Sequence, residues 1–282
     1  MMALPKVIWT YWEQGRQNAP PVVQCCFESW EYWNPGWTLH VLDRRSLNRY
    51  TDLEQRIDLS REDITIQKRS NLIRVSLLRT HGGVWADATV MCSQPLETWL
   101  AEYTSTGFFA FRNPGRDRLW SSWFIVAEPG NSLMAALEAA FVDLFASTNY
   151  TLQNTGLGDV FKRVLKPFLT RNVPCSRILV SRRVRNLLRV YPYFQFHYCF
   201  NTIVLKGGDP SRIWDKGKPF PAQPPHTLQL LGQQPGGEAE ACKFILSQRS
   251  PVHKLNWKLD PDSPYWGAVF DCFKQLRQRS GQ

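Results

Sequence analysis

Between Gln67 and Thr80 the apolar residues Leu72, Val75 and Leu78 return at near-helical spacing, and the segment reads as a helix with that row turned inward. Gly82-Gly83 ends it and permits a tight turn. Val84 to Thr89 then reads as a short strand. The same reasoning places a first strand at Val7-Ile8-Trp9, a Gly- and Pro-punctuated loop from Gly15 to Pro21, and a helix from Val22 to Trp33 that Asn34-Pro35-Gly36 closes. Trp37 to Leu42 alternates like a second strand, and Phe108 to Phe111 and Trp123 to Ala127 add two more. A helix from Ser132 to Phe145 follows, with the Ser132 hydroxyl suited to cap it. Gly156-Leu157-Gly158 leads into another from Asp159 to about Leu169, and Pro219 to Pro225 is a proline-rich loop. Strands alternating with helices predict an α/β sheet covered on both faces, with ligands at the carboxyl ends of the strands, where Asp87 falls.

The charged residues around this turn sharpen the picture. Asn71 and Arg74 are one helical turn apart and share a face. In an extended Val84–Thr89, side chains two apart project together, which puts Asp87 beside Thr89. Such a pair offers hard oxygen donors of the kind Mg²⁺ or Mn²⁺ accepts.

Composition sets outer bounds. At 282 residues, 43% hydrophobic and 21% charged, the chain can bury a sizeable core without cross-links, and one domain accounts for it. Cys25, Cys26, Cys92, Cys175, Cys199, Cys242 and Cys272 are an odd, scattered set without CxxC spacing, which predicts reduced thiols, a cytoplasmic setting and no zinc site. No signal-peptide pattern opens the sequence and no apolar run is long enough to span a bilayer. The net charge of +10 and pI near 9.4 call for an anionic partner. Basic residues gather at Arg182, Arg183, Arg185 and Arg189, and again at Lys274, Arg277 and Arg279, where Trp266, Phe270 and Phe273 interleave with them. A basic helix with an aromatic face predicts peripheral contact with the inner face of a membrane. Nucleic acid is not expected as a partner, because no recognised binding module accompanies the charge.

The order of several motifs gives the chain a family likeness. Leu4-Pro-Lys-Val-Ile-Trp-Thr10, Ser70-Asn71-Leu72-Ile73-Arg74 and Gly82-Gly83-Val84-Trp85-Ala86-Asp87-Ala88-Thr89 come first. Ser121-Ser122-Trp123-Phe124-Ile125, Tyr193 to Tyr198, Pro225-His226-Thr227-Leu228-Gln229 and Pro251-Val252-His253-Lys254-Leu255-Asn256-Trp257-Lys258 follow. Together they resemble the capsular polysaccharide synthesis protein family, related to yeast-type initiating mannosyltransferases and the glucosylating domains of large clostridial toxins. Two positions depart from the wider pattern: Asn71 stands where an acidic residue is usual, and Thr89 replaces the closing Asp of Asp-x-Asp.

The resemblance implies a GT-A-type, Rossmann-like mixed sheet flanked by helices in a single domain, 1–282, with a nucleotide-sugar-binding part over 1–130 and an acceptor-side part over 131–282. It implies a retaining glycosyltransferase without a protein nucleophile, using a UDP-sugar by first choice and GDP-mannose by second, acting on a glycan or lipid-linked acceptor. Mn²⁺ or Mg²⁺ is implied as cofactor, held by Asp87, Thr89 and His253. Arg74 and Asp87 would carry catalysis. Trp9 would stack on the nucleobase, Thr10 and Asn71 would bond base, ribose or sugar, and Trp85, His253 and Lys254 would complete the donor site. The departures at Asn71 and Thr89 leave open a protein that binds nucleotide-sugars without turning them over.

Overall fold

The structure is a computed structural model, and it describes residues 4–153, 155–258, 260 and 262–280. Strand β1 (Val7–Tyr11) leads through helix α1 (Pro21–Trp33) to β2 (Thr38–Leu42), which lies parallel to it. The short α2 (Leu53–Arg56) precedes α3 (Ile66–His81), and α3 delivers β3 (Gly83–Ala86) parallel to β1 on its other side. β4 (Val90–Cys92) leaves the sheet. β5 (Phe108–Gly115) and β6 (Arg118–Ala127) form a hairpin that joins through β6, antiparallel to β3, so the order is β2-β1-β3-β6-β5. A mixed sheet flanked by helices results, as the family resemblance implies.

Both faces are apolar because both are covered, and the strands alternate between them. Trp9, Trp85 and Ile125 point into one core with Leu72, Val75 and Leu78 of α3; Ile8, Val84, Phe124 and Val126 point into the other with Trp30 of α1. Helix α4 (Ser132–Ala146) packs on α3. Its cap is Asn131, whose side chain accepts from the amides of Leu133 and Met134, and not Ser132. The helix expected from Asp159 to Leu169 is two pieces, α5 (Gly156–Val164) and α6 (Lys166–Leu169), with Pro167 at the start of the second where its missing N–H costs nothing. Then come α7 (Val173–Ser176), α8 (Gln195–Leu205) and α9 (Asp209–Lys216), followed by α10 (Thr227–Leu231), α11 (Glu238–Leu246), β7 (Val252–Lys254) and α12 (Pro264–Ser280). β7 pairs antiparallel with β4 in a separate two-stranded ribbon.

Three expectations change. Cys242 of α11 and Cys272 of α12 form a disulfide across packed helices, so the thiols are not all free, and the cysteine argument for a reducing compartment loses its force. Trp266 and Phe273 of α12 are buried in the core, which removes the exposed aromatic face expected of that helix. Arg185 is buried as well, its guanidinium held by the hydroxyls of Ser147 and Thr148. Among the described residues no helix is long and apolar enough to cross a membrane.

Candidate functional site

The turn after β3 is forced by its glycines. Gly82 and Gly83 have φ of 67° and 92°, and a Cβ would run into Pro129 at the first and Val7 at the second. The strand stops at Ala86. Asp87 donates its amide to the Trp123 carbonyl at 2.8 Å, and its own carbonyl accepts from Val90 at 2.9 Å. Asp87 and Thr89 therefore belong to a turn and are not brought together by strand alternation.

Three elements converge on the Asp87 carboxylate at the carboxyl end of the parallel strands. From β3, the Trp85 indole donates to Oδ1 at 2.9 Å. From α3, Arg74 Nη2 lies 3.1 Å from the same oxygen. From β7, Lys254 Nζ stands 3.1 Å from Oδ2 and donates to Thr89 Oγ1 at 2.7 Å. Side-chain exposure is 24% for Asp87, 18% for Lys254 and 5% for Arg74, so the carboxylate and the ammonium are partly exposed and the guanidinium is buried. Arg74 is further fixed by Ser70 Oγ at 2.9 Å and by the Ser122 carbonyl. Its guanidinium is thus engaged by Asp87, Ser70 and Ser122 together.

Burial pushes the Asp87 carboxyl upward, but Arg74, Lys254 and the hydrogen bond from Trp85 outweigh it and hold the group below the ordinary aspartate value. Nearby, burial pushes His197 down to about 3, helped by the positive charges of Arg118 and Arg74. Burial and then Lys254 lower His226, whose ring stands edge-on to Trp123. Both imidazoles are neutral at physiological pH.

This donor set does not fit a divalent cation. Both Asp87 oxygens already face a donor or a cation, the second motif position offers a hydroxyl that accepts from Lys254, and among the described residues no three His, Cys, Asp or Glu side chains are grouped to hold a metal. Where the motif leads one to expect a second anionic ligand for Mn²⁺ or Mg²⁺, the chain places the Thr89 hydroxyl and the Lys254 ammonium. His253 cannot supply one. Its neighbours Val252 and Lys254 project to the opposite side of β7, and its own ring is 1% exposed between Phe244 and Phe273 with Nε2 against Ser93 Oγ.

Other expected contacts also move into the core. Trp9 is 3% exposed, stacked on His40 and edge-on to Tyr50, with its indole N–H donated to the Gly82 carbonyl, so no face is open to a base. Thr10 is buried and its hydroxyl has no partner among the described residues. Trp85 is buried, its indole N–H given to Asp87 and its ring lying against the Arg74 guanidinium. Asn71 is part-buried on α3, one turn before Arg74. Trp123 is stacked on Phe111 within the core. Trp12, just past β1, carries no motif that marks it in the sequence. It packs against the small cluster containing Ala88, the residue after Asp87, and stands edge-on to Trp257 with ring centres 6.4 Å apart. Trp257 is 50% exposed. The available signal was position: Trp12 follows the carboxyl end of a parallel strand, while Trp9 sits inside one.

Fold and site together define an α/β protein with its charged cluster where such sheets bind ligands, at the carboxyl ends of the parallel strands. Residues 2–171 match the family described as Capsular polysaccharide synthesis protein; that is more than half of the chain, which belongs to this family. It is similar to O-glycosyltransferase braB of Annulohypoxylon truncatum, 30% identical over 146 residues that cover 45% of this chain and 34% of the relative. Glycosyltransferase afumC of Aspergillus fumigatus is 29% identical over 143 residues, 44% of this chain and 36% of its own length. The chain thus spans about a third of these curated relatives. Among solved structures, PaToxG Glycosyltransferase aligns over 75% of this chain and 86% of its own at 13% identity and a TM-score of 0.40, too distant to argue from.

Proposed function

We propose that the chain is a glycosyltransferase moving a sugar from a nucleotide-sugar donor to a hydroxyl of a glycan or lipid-linked acceptor in polysaccharide synthesis, with retention of configuration. The observation that carries this reading is the partly exposed Asp87–Lys254 pair, backed by Arg74, at the strand ends beside the Trp12–Trp257 pair. An ammonium there suits a diphosphate, and an exposed indole suits a nucleobase or a sugar ring. A UDP-sugar is the first choice of donor and GDP-mannose the second.

We assign no protein nucleophile. Glu128 follows the far end of β6, beside Gly107, and Asp209 is exposed and paired with Arg212. The acceptor oxygen then attacks the anomeric carbon on the side the leaving group departs from. Its proton passes to the departing phosphate, and the protein positions both substrates.

A membrane partner is supported from a place other than the one the sequence suggested. Leu157, Val160 and Val164 of α5 lie exposed on one side of the helix, continued by Leu165 and Phe168, with Lys162, Arg163 and Lys166 interspersed. Apolar side chains ringed by cations suit an anionic bilayer surface. The enzymatic reading is tested by incubating the protein with UDP-, GDP- and CMP-sugars, with and without acceptors, and measuring nucleotide release. Acceptor-dependent release supports it; donor binding with no release in any combination leaves only a nucleotide-sugar-binding protein.

A further inference from the structure

Lys254 stands where the sequence motif leads one to expect a divalent cation. The ribbon of β4 and β7 fixes it there: Lys254 is opposite Val90 in register, and the Leu255 amide donates to the Thr89 carbonyl at 2.8 Å. Its position is therefore set by main-chain pairing as well as by its contacts with Asp87 Oδ2 and Thr89 Oγ1. An ammonium carries one N–H more than those two contacts use, and with Lys254 partly exposed that N–H has no partner among the described residues and can meet an incoming oxygen.

Charge counting links this to the departure at Thr89. Two carboxylates and a divalent cation sum to zero; one carboxylate and one ammonium also sum to zero. Replacing the second acid by threonine and placing a lysine against it leaves the local balance unchanged and supplies a hydroxyl that accepts from Nζ. A divalent ion added to the observed arrangement would sit beside Arg74 and Lys254 with a single carboxylate to offset it.

We propose that Lys254 is the fixed cation for the donor diphosphate, so that the chain binds diphosphates without a divalent metal. The identification of the diphosphate as part of a nucleotide-sugar rests on the reading of the preceding section. When the bond from the anomeric carbon to the diphosphate oxygen breaks, its electron pair stays on that oxygen, the acceptor oxygen takes the vacated bond, and the acceptor proton goes to the departing phosphate. Lys254 keeps its own proton and offsets the charge.

Calorimetric titration with pyrophosphate and with UDP and GDP, in EDTA and then in Mn²⁺, tests this. Wild-type protein should bind equally well in both. Lys254→Met should weaken binding by about 10- to 100-fold, the equivalent of one charged hydrogen bond, and Lys254→Arg should restore most of it. Arg74 still partners Asp87 in the methionine variant; thermal melts of both variants separate lost binding from lost fold. Thr89→Asp combined with Lys254→Met should create Mn²⁺-dependent binding, read directly by paramagnetic resonance of the metal. Binding that requires Mn²⁺ or Mg²⁺ in the wild type overturns the assignment while leaving the donor reading intact. Metal-free binding of pyrophosphate with no binding of any nucleotide-sugar supports the cation and overturns the donor. Absence of binding to every probe overturns both.

Discussion

Arg74 Nη2 stands 3.1 Å from Asp87 Oδ1, and the same guanidinium bonds Ser70 Oγ within α3 and the Ser122 carbonyl of β6. One buried side chain thus ties helix, strand and loop together beneath the carboxylate. Site and scaffold are coupled through it, so a change at Asp87 is felt by the fold.

Asp87→Asn keeps the shape of the side chain and removes its charge, leaving Arg74 buried without a counter-ion. Urea unfolding should show a loss of about 1–3 kcal/mol, below the full cost of breaking a buried pair because the carboxylate is partly solvated. Transfer should be lost as well. In a double-mutant cycle Arg74→Met should cost much less on the Asn background than on the wild type, with a coupling of about 0.5–3 kcal/mol. Additive effects would show that the ion pair is incidental.

The tryptophans separate core from site. Trp9→Ala should destabilise the protein by about 3–5 kcal/mol, as loss of a buried aromatic does. Trp12→Phe and Trp257→Ala should leave the melting temperature nearly unchanged while weakening nucleotide or sugar binding by about 0.5–1.5 kcal/mol in the stacking range. Unaltered affinity in both of the latter variants would remove this pair from the donor site.

The legibility of this chain follows from which interactions are local. α1, α3 and β1 to β3 were readable because their apolar periodicity and the Asn-Pro-Gly and Gly-Gly stops lie within the segments themselves. The place of Asp87 near the carboxyl end of a glycine-bounded strand was readable for the same reason, although that strand stops at Ala86 and does not run on to Thr89. Lys254 could be named but not given its partner, since its meeting with Thr89 depends on a strand pairing across more than half of the chain. Trp9 and His253 were misplaced because an aromatic or imidazole in a short strand looks alike on either face, and only packing decides which face is sealed. The Cys242–Cys272 bond arises from the docking of α11 on α12, for which the sequence has no spacing signal.

If α5 and α6 rest on a membrane, Leu157→Glu with Phe168→Glu should abolish co-sedimentation with vesicles containing phosphatidylserine or cardiolipin. Both side chains are exposed, so stability should change by no more than about 0.5 kcal/mol. Wild-type binding should weaken as salt rises, because Lys162, Arg163 and Lys166 contribute by charge. Equal sedimentation of wild type and variant would dismiss this surface.

His253 gives a pH dependence that is independent of substrate. Burial lowers its folded-state pKa to about 3, against roughly 6.5 when unfolded. Above about pH 6.5 neither state is protonated and the imidazole adds no slope. Below that the unfolded chain takes up a proton that the folded chain refuses, so stability falls as pH drops, by up to about 1.4 kcal/mol per pH unit, until the folded group titrates near 3. His197 acts in the same direction for the same reason. Asp87 adds its loss only in more acid solution, because its carboxyl is held below the ordinary range. Between about pH 6.5 and 5 the histidines should therefore dominate. His253→Gln keeps a hydrogen-bonding amide for Ser93 and does not titrate, so its urea-derived stability should decline less steeply across that window than the wild type's. Parallel pH profiles for the two proteins would mean that the ring is protonated in the folded state, and that its burial between Phe244 and Phe273 is not what sets its charge.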